Sequence, residues 1–264
     1  MLQIQNIGIT LALILCMAVP ASAAQTVTDE NLTHMLREAL NKNPELVLDV
    51  LRKNSESVLD IAQQGSTVRR QRALQAQWRE DAKQAKKVKI SGRAVRGEAN
   101  APVTIIAFSD FTCPYCQQGA ATVERILSDY GKKVRFVFKH MPLGKDGAAR
   151  TAAEYFVAAN EQGSDKAWDL YKILFDQREK LVTEGDKFIK VSAEQVGLNM
   201  QKLASDVRSK KTKALLDEDM AEAQKLGIEG TPYFLVNDLV IRGALPLDLF
   251  KSAVDMAMDE KNKK

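Results

Sequence analysis

Cysteine and histidine are scarce in this chain, three of one and two of the other in 264 residues. Cys16 lies in a leading apolar segment, so the rest of the chain holds only Cys113 and Cys116, and one such pair makes no structural disulfide framework. Neither His34 nor His140 belongs to a ligand-spaced pair, so a four-ligand zinc site has no candidate set. Long apolar runs are missing as well. Ile9 to Val19, interrupted only by Thr10, falls short of the roughly 20 residues that a bilayer-spanning helix needs. Charge of one sign is modest, and a formal +4 argues by itself for neither nucleic acid nor a membrane surface. With 45% apolar and 27% charged residues, the composition is that of an ordinary globular protein with room for one sizeable domain and an appendage.

Residues 1–23 contain no Lys or Arg, so the α-amino group alone supplies the positive end that an export signal usually carries. After the apolar run come Pro20 and Ala21-Ser22-Ala23, a small-x-small cleavage pattern. The expectation is a signal peptide cleaved near Ala23. A lipid anchor on Cys16 fits less well, because Leu15 precedes it where a small residue belongs.

Residues 29–63 read as two short helices. Asp29 or Asn31 caps the first, which places Leu32, Met35, Leu36 and Leu40 on one side. Asn43-Pro44-Glu45 then supplies an N-cap, a proline and a first-turn acid for a second helix carrying Leu46, Val47, Val50, Leu51, Val58 and Ile61. So apolar a face on so small a unit calls for a cover, either the main domain or a second chain.

From 66 to 93 nine basic residues face only Glu80 and Asp81, with no proline and a single glycine, Gly92. Trp78 is the lone aromatic, without the interleaved stacking residues of a nucleic-acid surface, so the stretch reads as a basic, solvated connecting helix. Gly65 and Arg72 interrupt any heptad seam through Val58, Ile61 and Val68.

The chemistry concentrates in Ser109-Asp110-Phe111-Thr112-Cys113-Pro114-Tyr115-Cys116. A β-branched run from Val103 to Phe108 reads as a buried strand, and Ala120, Val123, Ile126 and Leu127 recur at helical spacing behind it. The cysteines therefore sit where a strand hands over to a helix. Unpaired N–H groups and the positive dipole end there favour a thiolate, and Pro114 suits the first turn. Thiol–disulfide exchange needs an accessible thiolate and a second thiol within reach, which Cys113 and Cys116 supply.

A second strand follows at Val134–Phe138, and Asp146 to Leu226 is helical almost throughout, with Ser164 capping one helix and Trp168, Tyr171 and Phe175 at core spacing. Gly227-Ile228-Glu229-Gly230-Thr231-Pro232 turns into a strand at Tyr233–Val236, Asn237-Asp238 connects to Val240–Arg242, and a last amphipathic helix closes the chain.

This order of elements, with the C-x-x-C segment, Val134 to Leu143 and Gly227 to Pro232, resembles the DsbA-like branch of the thioredoxin superfamily over about residues 95–260. Leu36 to Leu48 is similar to the leading segment of ScsC-type (suppressor of copper sensitivity) members. The resemblance implies an α/β thioredoxin fold with a helical insertion, about 146–226, between the second and third core strands. It implies a 95–264 catalytic domain, preceded by a 24–63 helical oligomerisation segment and a 64–94 basic helical linker. Cys113 is then the nucleophile and Cys116 the resolving thiol, with Pro114 and Tyr115 between them. Thr231-Pro232 is a cis bond beside them, its Thr231 backbone free to pair with a bound peptide.

No cofactor is implied beyond the redox-active disulfide. The implied partners are protein substrates with cysteines, a membrane redox partner (a reductase or an oxidase) and further copies of the chain, in the periplasm and without nucleic acid. One departure bears on proton transfer. Many DsbA-like proteins have a buried Glu six residues before the nucleophile, where this chain has Ala107. Lys139, which often partners that acid, is present, and Asp110 or water is left to carry the proton. The expected activity is protein disulfide isomerisation. A dithiol oxidase and a Cu(I)-binding module using Cys113 and Cys116 as soft thiolates are the alternatives.

Overall fold

The computed structural model describes residues 28–144 and 147–262, so the signal segment with Cys16 and Ala23 lies outside the described residues, as does Asp146. The chain divides into two compact units, Met1–Gly65 and Ser66–Lys264.

In the first unit α1 (Asp29–Lys42) and α2 (Pro44–Lys53) are followed by α3 (Ser55–Asp81), which runs on through Gly65. The cap of α1 is Thr28, whose hydroxyl accepts from Asn31 N–H at 3.3 Å, rather than Asp29 or Asn31. Asn43 does not cap α2 with its side chain. Its carboxamide donates to Ala39 O at 3.0 Å and closes α1, and Asn54 closes α2 in the same way on Val50 O at 2.7 Å. No residue of α1 or α2 is buried, so Leu36, Leu46 and Val50 show apolar surface to solvent.

The helical linker expected over 64–94 is helical only to Asp81, and the chain beyond it carries β1 (Val95–Arg96). Far from being solvated, Trp78 is fully buried. The remaining strands are β2 (Val103–Ser109), β3 (Val134–His140), β4 (Tyr233–Val236) and β5 (Leu239–Arg242), in the order β1-β3-β2-β4-β5. β2 pairs parallel with β3 and antiparallel with β4, while β1 and β5 are antiparallel edges. An unpaired edge strand invites wrong partners. Trp78 Nε1–H donates to Val240 O at 2.9 Å and Asp81 accepts from Val240 N–H at 3.2 Å, so α3 closes the β5 edge at that residue. Asn237 turns the β4–β5 hairpin at φ 51°, and its side chain accepts from Thr104 N–H at 2.8 Å.

Between β2 and β3 lies α4 (Pro114–Tyr130), closed by Gly131. The insertion comprises α5 (Ala148–Asn160), α6 (Ser164–Asp176), α7 (Arg178–Glu184), α8 (Asp186–Gln195), α9 (Met200–Val207) and α10 (Lys210–Lys225), and α11 (Leu247–Asn262) ends the described chain. Ser164 begins α6 without capping it, since Gly163 holds that position. Side chains alternate across a strand, which sorts the sheet into two faces. Ile105, Ala107, Phe136 and Phe138 join Cys116, Val123 and Phe156 in the main core. Ile106, Phe108 and Val137 point the other way, into a smaller core with Ala223, Ile228 and Leu235.

Candidate active site

β2 ends at Ser109, and the four residues before α4 are fixed individually. Phe111 is buried against Phe175 and Phe138, with ring centroids 4.9 and 5.0 Å away, and it anchors the loop in the core. Asp110, also buried, accepts from Thr112 N–H and Thr112 Oγ1–H through Oδ1, each at 2.7 Å, and from Leu143 N–H through Oδ2 at 2.9 Å. Its carboxylate thus ties the loop before Cys113 to the loop after β3, and every bond it makes here organises backbone or a neighbouring hydroxyl. Thr112 O accepts from Arg178 NH1 of α7 at 2.9 Å.

Cys113 is the N-cap of α4 with extended backbone (φ −77°, ψ 125°), and Pro114 opens the helix. The two sulfurs have unlike surroundings. Cys113 is half-buried, and its Sγ–H donates to Thr231 O at 3.6 Å, while Cys116 one turn inside is buried. Burial pushes the Cys116 thiol up to about 12, and the nearby Ser109 and Thr231 hydroxyls and the Asp110 N–H, which donates to Cys116 Sγ at 3.4 Å, oppose that rise. The Thr231–Pro232 bond is cis. Gly119 lets α4 approach this loop, since a Cβ there would stand 2.8 Å from Phe234 Cζ and 3.4 Å from Pro232 Cγ.

A cleft of about 420 Å³ opens beside Cys113, lined by Thr112, Pro114, Leu143, Ala148 and Val182 among others. A second hollow of about 260 Å³ follows Gly230, Thr231, Pro232, Tyr233 and Arg242. Tyr115, Leu143 and Val182 are exposed apolar side chains here, 61%, 60% and 51% accessible. Among the described residues no cluster of three or more His, Cys, Asp or Glu side chains is placed to hold a metal ion.

The structure therefore brings Cys113, Cys116, Pro114, Tyr115, Asp110, Thr231 and Pro232 to one place. Lys139 is not with them. It lies on the sheet's other face over the Phe108 ring, fully buried, and pairs with Asp219 at 2.9 Å and with Glu222, both of α10. Arg93 reaches the same Asp219 at 2.8 Å. The carboxylates that pair with Lys139 come from α10, away from the sulfurs. Ala107 faces the cysteine side, in the core that contains Cys116.

Two polar groups near the site carried no sequence signal of their place there. His140 follows Lys139 but turns its ring to the cysteine face, against Phe138, Phe156 and Phe111. Burial lowers its pKa to about 4; Asp219 opposes the shift, and Arg93 and Lys139 add to it. His140 Nδ1 meets no partner among the described residues. Arg178 is the other, visible only once α7 is folded against the loop.

Comparison with known proteins agrees with this fold. A thioredoxin-like oxidoreductase from Silicibacter pomeroyi DSS-3 superposes with a TM-score of 0.57 at 30% identity, covering 64% of this chain and 94% of that one. ScsC from Proteus mirabilis in a compact conformation shares the fold at 20% identity and a TM-score of 0.57, covering 84% of this chain and 99% of that one. A curated relative, the Na(+)/H(+) antiporter NhaA 3 of Salinispora tropica, is 31% identical over 161 residues, 61% of this chain. The chain spans about a quarter of that relative's length (24%). The described residues contain no helix long and apolar enough to cross a membrane. The thioredoxin family profile matches residues 89–256, from just before β1 into α11, and the chain belongs to the thioredoxin family.

Proposed function

We propose that this protein is an exported, periplasmic thiol–disulfide oxidoreductase acting on protein substrates, that it works as a disulfide isomerase through Cys113 and Cys116, and that residues 24–63 assemble it into a homo-oligomer. The observation that carries the reading is the asymmetry of the dithiol, a half-buried Cys113 at the helix N-cap beside Thr231 O and a buried Cys116 one turn inside. The Cys113 thiolate attacks a substrate disulfide, forming a mixed disulfide and releasing one substrate thiolate, which takes up a proton. A second substrate thiolate then attacks the substrate sulfur of that bond, giving a rearranged disulfide and returning Cys113. Alternatively Cys116 attacks Cys113, releasing a reduced substrate and an oxidised protein that a membrane reductase restores. Exposed apolar side chains around Cys113 suit an unfolded substrate, and Leu36, Leu46 and Val50 suit contact between copies.

Reactivation of a scrambled disulfide protein tests this. The wild type restores activity, Cys113→Ser does not, and a chain lacking residues 24–63 loses reactivation and its larger mass in light scattering while still oxidising reduced peptide. Reactivation that survives both changes contradicts the isomerase reading. A monomeric wild type with fast peptide oxidation makes the protein a dithiol oxidase. Tight competition by the reduced chain against a Cu(I) chelator, without reactivation, makes it a Cu(I)-binding module.

A further inference from the structure

The corner between α6 and α7 touches both ends of the C-x-x-C segment. Arg178 NH1 donates to the carbonyl of Thr112, the residue before Cys113, at 2.9 Å. Three residues earlier, Phe175 O accepts from Gln117 Nε2, the residue after Cys116, at 2.7 Å. The Phe175 ring also rests on Phe111, the centroids 4.9 Å apart. One short piece of the insertion therefore brackets the dithiol.

The way Arg178 is held marks this as more than a passing contact. Its side chain is 18% exposed, and its nearest carboxylate is Glu179, 3.9 Å away and 90% exposed, a weak, screened pair. Arg178 Nε is buried and meets no acceptor among the described residues. A buried cationic donor left unpaired is costly. The guanidinium nevertheless sits where NH1 meets a neutral carbonyl, and a charge-assisted bond of that kind is among the stronger ones. Thr112 then has its N–H and hydroxyl held by Asp110 and its carbonyl by Arg178.

We propose that Arg178 is a positioning residue for thiol exchange: with the Gln117–Phe175 bond it fixes the two flanks of the dithiol, so that Cys116 stays within reach of the Cys113 sulfur. This rests on the thiol-exchange reading and concerns the step after the first attack. With Cys113 in a mixed disulfide, the Cys116 thiolate attacks Cys113, forms the Cys113–Cys116 bond and expels the substrate thiolate. The competing thiolate from solution or substrate attacks the substrate sulfur instead and expels Cys113. Nearness sets the effective concentration of Cys116 in that competition. The insertion thereby sets the partition between net redox and rearrangement.

The test equilibrates the full chain with a mixture of reduced glutathione and its disulfide, the oxidant, and measures, by mass spectrometry after acid quenching, the ratio of Cys113–glutathione adduct to Cys113–Cys116 disulfide. Arg178→Met raises that ratio about tenfold, the size one charge-assisted hydrogen bond can carry. Arg178→Lys, which keeps a cationic donor, brings most of it back, and Gln117→Leu shifts it the same way by less. A loss of stability alone leaves the ratio in the folded fraction unchanged. A wild type that forms neither species overturns the thiol-exchange reading itself. A wild type that forms both, with the ratio unmoved by Arg178→Met and by Gln117→Leu, overturns the clamp alone. If Arg178→Met does not fold, Gln117→Leu decides by the same ratio.

Discussion

On one face of the sheet Lys139 and Asp219, neither with any exposed side-chain surface, meet at 2.9 Å, with Arg93, Glu222 and the Lys89 carbonyl completing the group. On the other face Cys116 and His140 are buried as deeply without such compensation. Cys116 is pushed up to about 12 and His140 down to about 4, each held neutral by burial. The orphaned His140 Nδ1 and Arg178 Nε belong to this second environment. Buried polar groups are ordinarily paired, and unpaired ones need a reason. The contrast teaches where to look: the charge-rich face is closed by its own pairing, and the face with incomplete pairing is the one on which the proposed exchange takes place.

Breaking the paired face has the largest expected effect. Asp219→Ala takes from Lys139 and Arg93 the buried carboxylate they share, leaving Lys139 to Glu222 and Arg93 to Glu218, and removes the acceptor for the His140 N–H, 2.9 Å away. Removing one partner of a buried pair costs about 3–5 kcal/mol. Urea titration should show that loss, while exchange per folded molecule stays near the wild-type rate. A large drop in intrinsic exchange would put this face in the site.

The next effect lies on the cysteine face and depends on pH. His140 is neutral in the fold down to about 4, whereas an ordinary imidazole protonates near 6.5. Above that window both states are neutral. Within it the unfolded chain takes up a proton that the fold refuses, so stability falls as pH falls, by on the order of 3 kcal/mol when pH 4 is reached. His140→Leu keeps the backbone bond to Asp219 and should remove this portion of the acid sensitivity in melts taken between pH 7 and 4. A variant with the wild-type slope contradicts the assignment.

Asp110 comes third. Asp110→Ala leaves the Thr112 and Leu143 N–H groups without their acceptor, which costs about 2 kcal/mol. It also loosens the loop that carries Cys113, so exchange with a peptide disulfide should slow, and Asp110→Asn, whose single oxygen still accepts from Thr112 but whose NH2 then faces the Leu143 N–H, should recover part of both. Equal losses in the two variants would mean that acceptance from Thr112 alone does not hold the loop.

How much of this could be read beforehand depends on how local each cause is. Val103 to Phe108 and Pro114 after Cys113 act through their own backbone, so the strand and the step from strand to helix at the cysteines were legible. Thr231-Pro232 was placed beside the cysteines by resemblance, and the fold puts it there. Partners distant in sequence were hidden. Nothing around Lys139 points to Asp219, and nothing around Thr112 points to Arg178. Gly65, which interrupts a heptad seam in the sequence, lies inside α3, and glycine weakens a helix by only about 1 kcal/mol; the helix continues to Trp78, whose indole finds Val240 O across the chain. β1, two residues long, is too short to show a pattern.

The central claim is that Cys113, and not Cys116, reacts with substrate disulfides. It is tested most directly by incubating Cys116→Ala with a peptide disulfide and weighing the intact protein. The account predicts one stable peptide adduct, mapped to Cys113, that the wild type resolves and Cys113→Ala does not form. An adduct on Cys116 in the Cys113→Ala chain at a comparable rate, or no adduct on either, would contradict it.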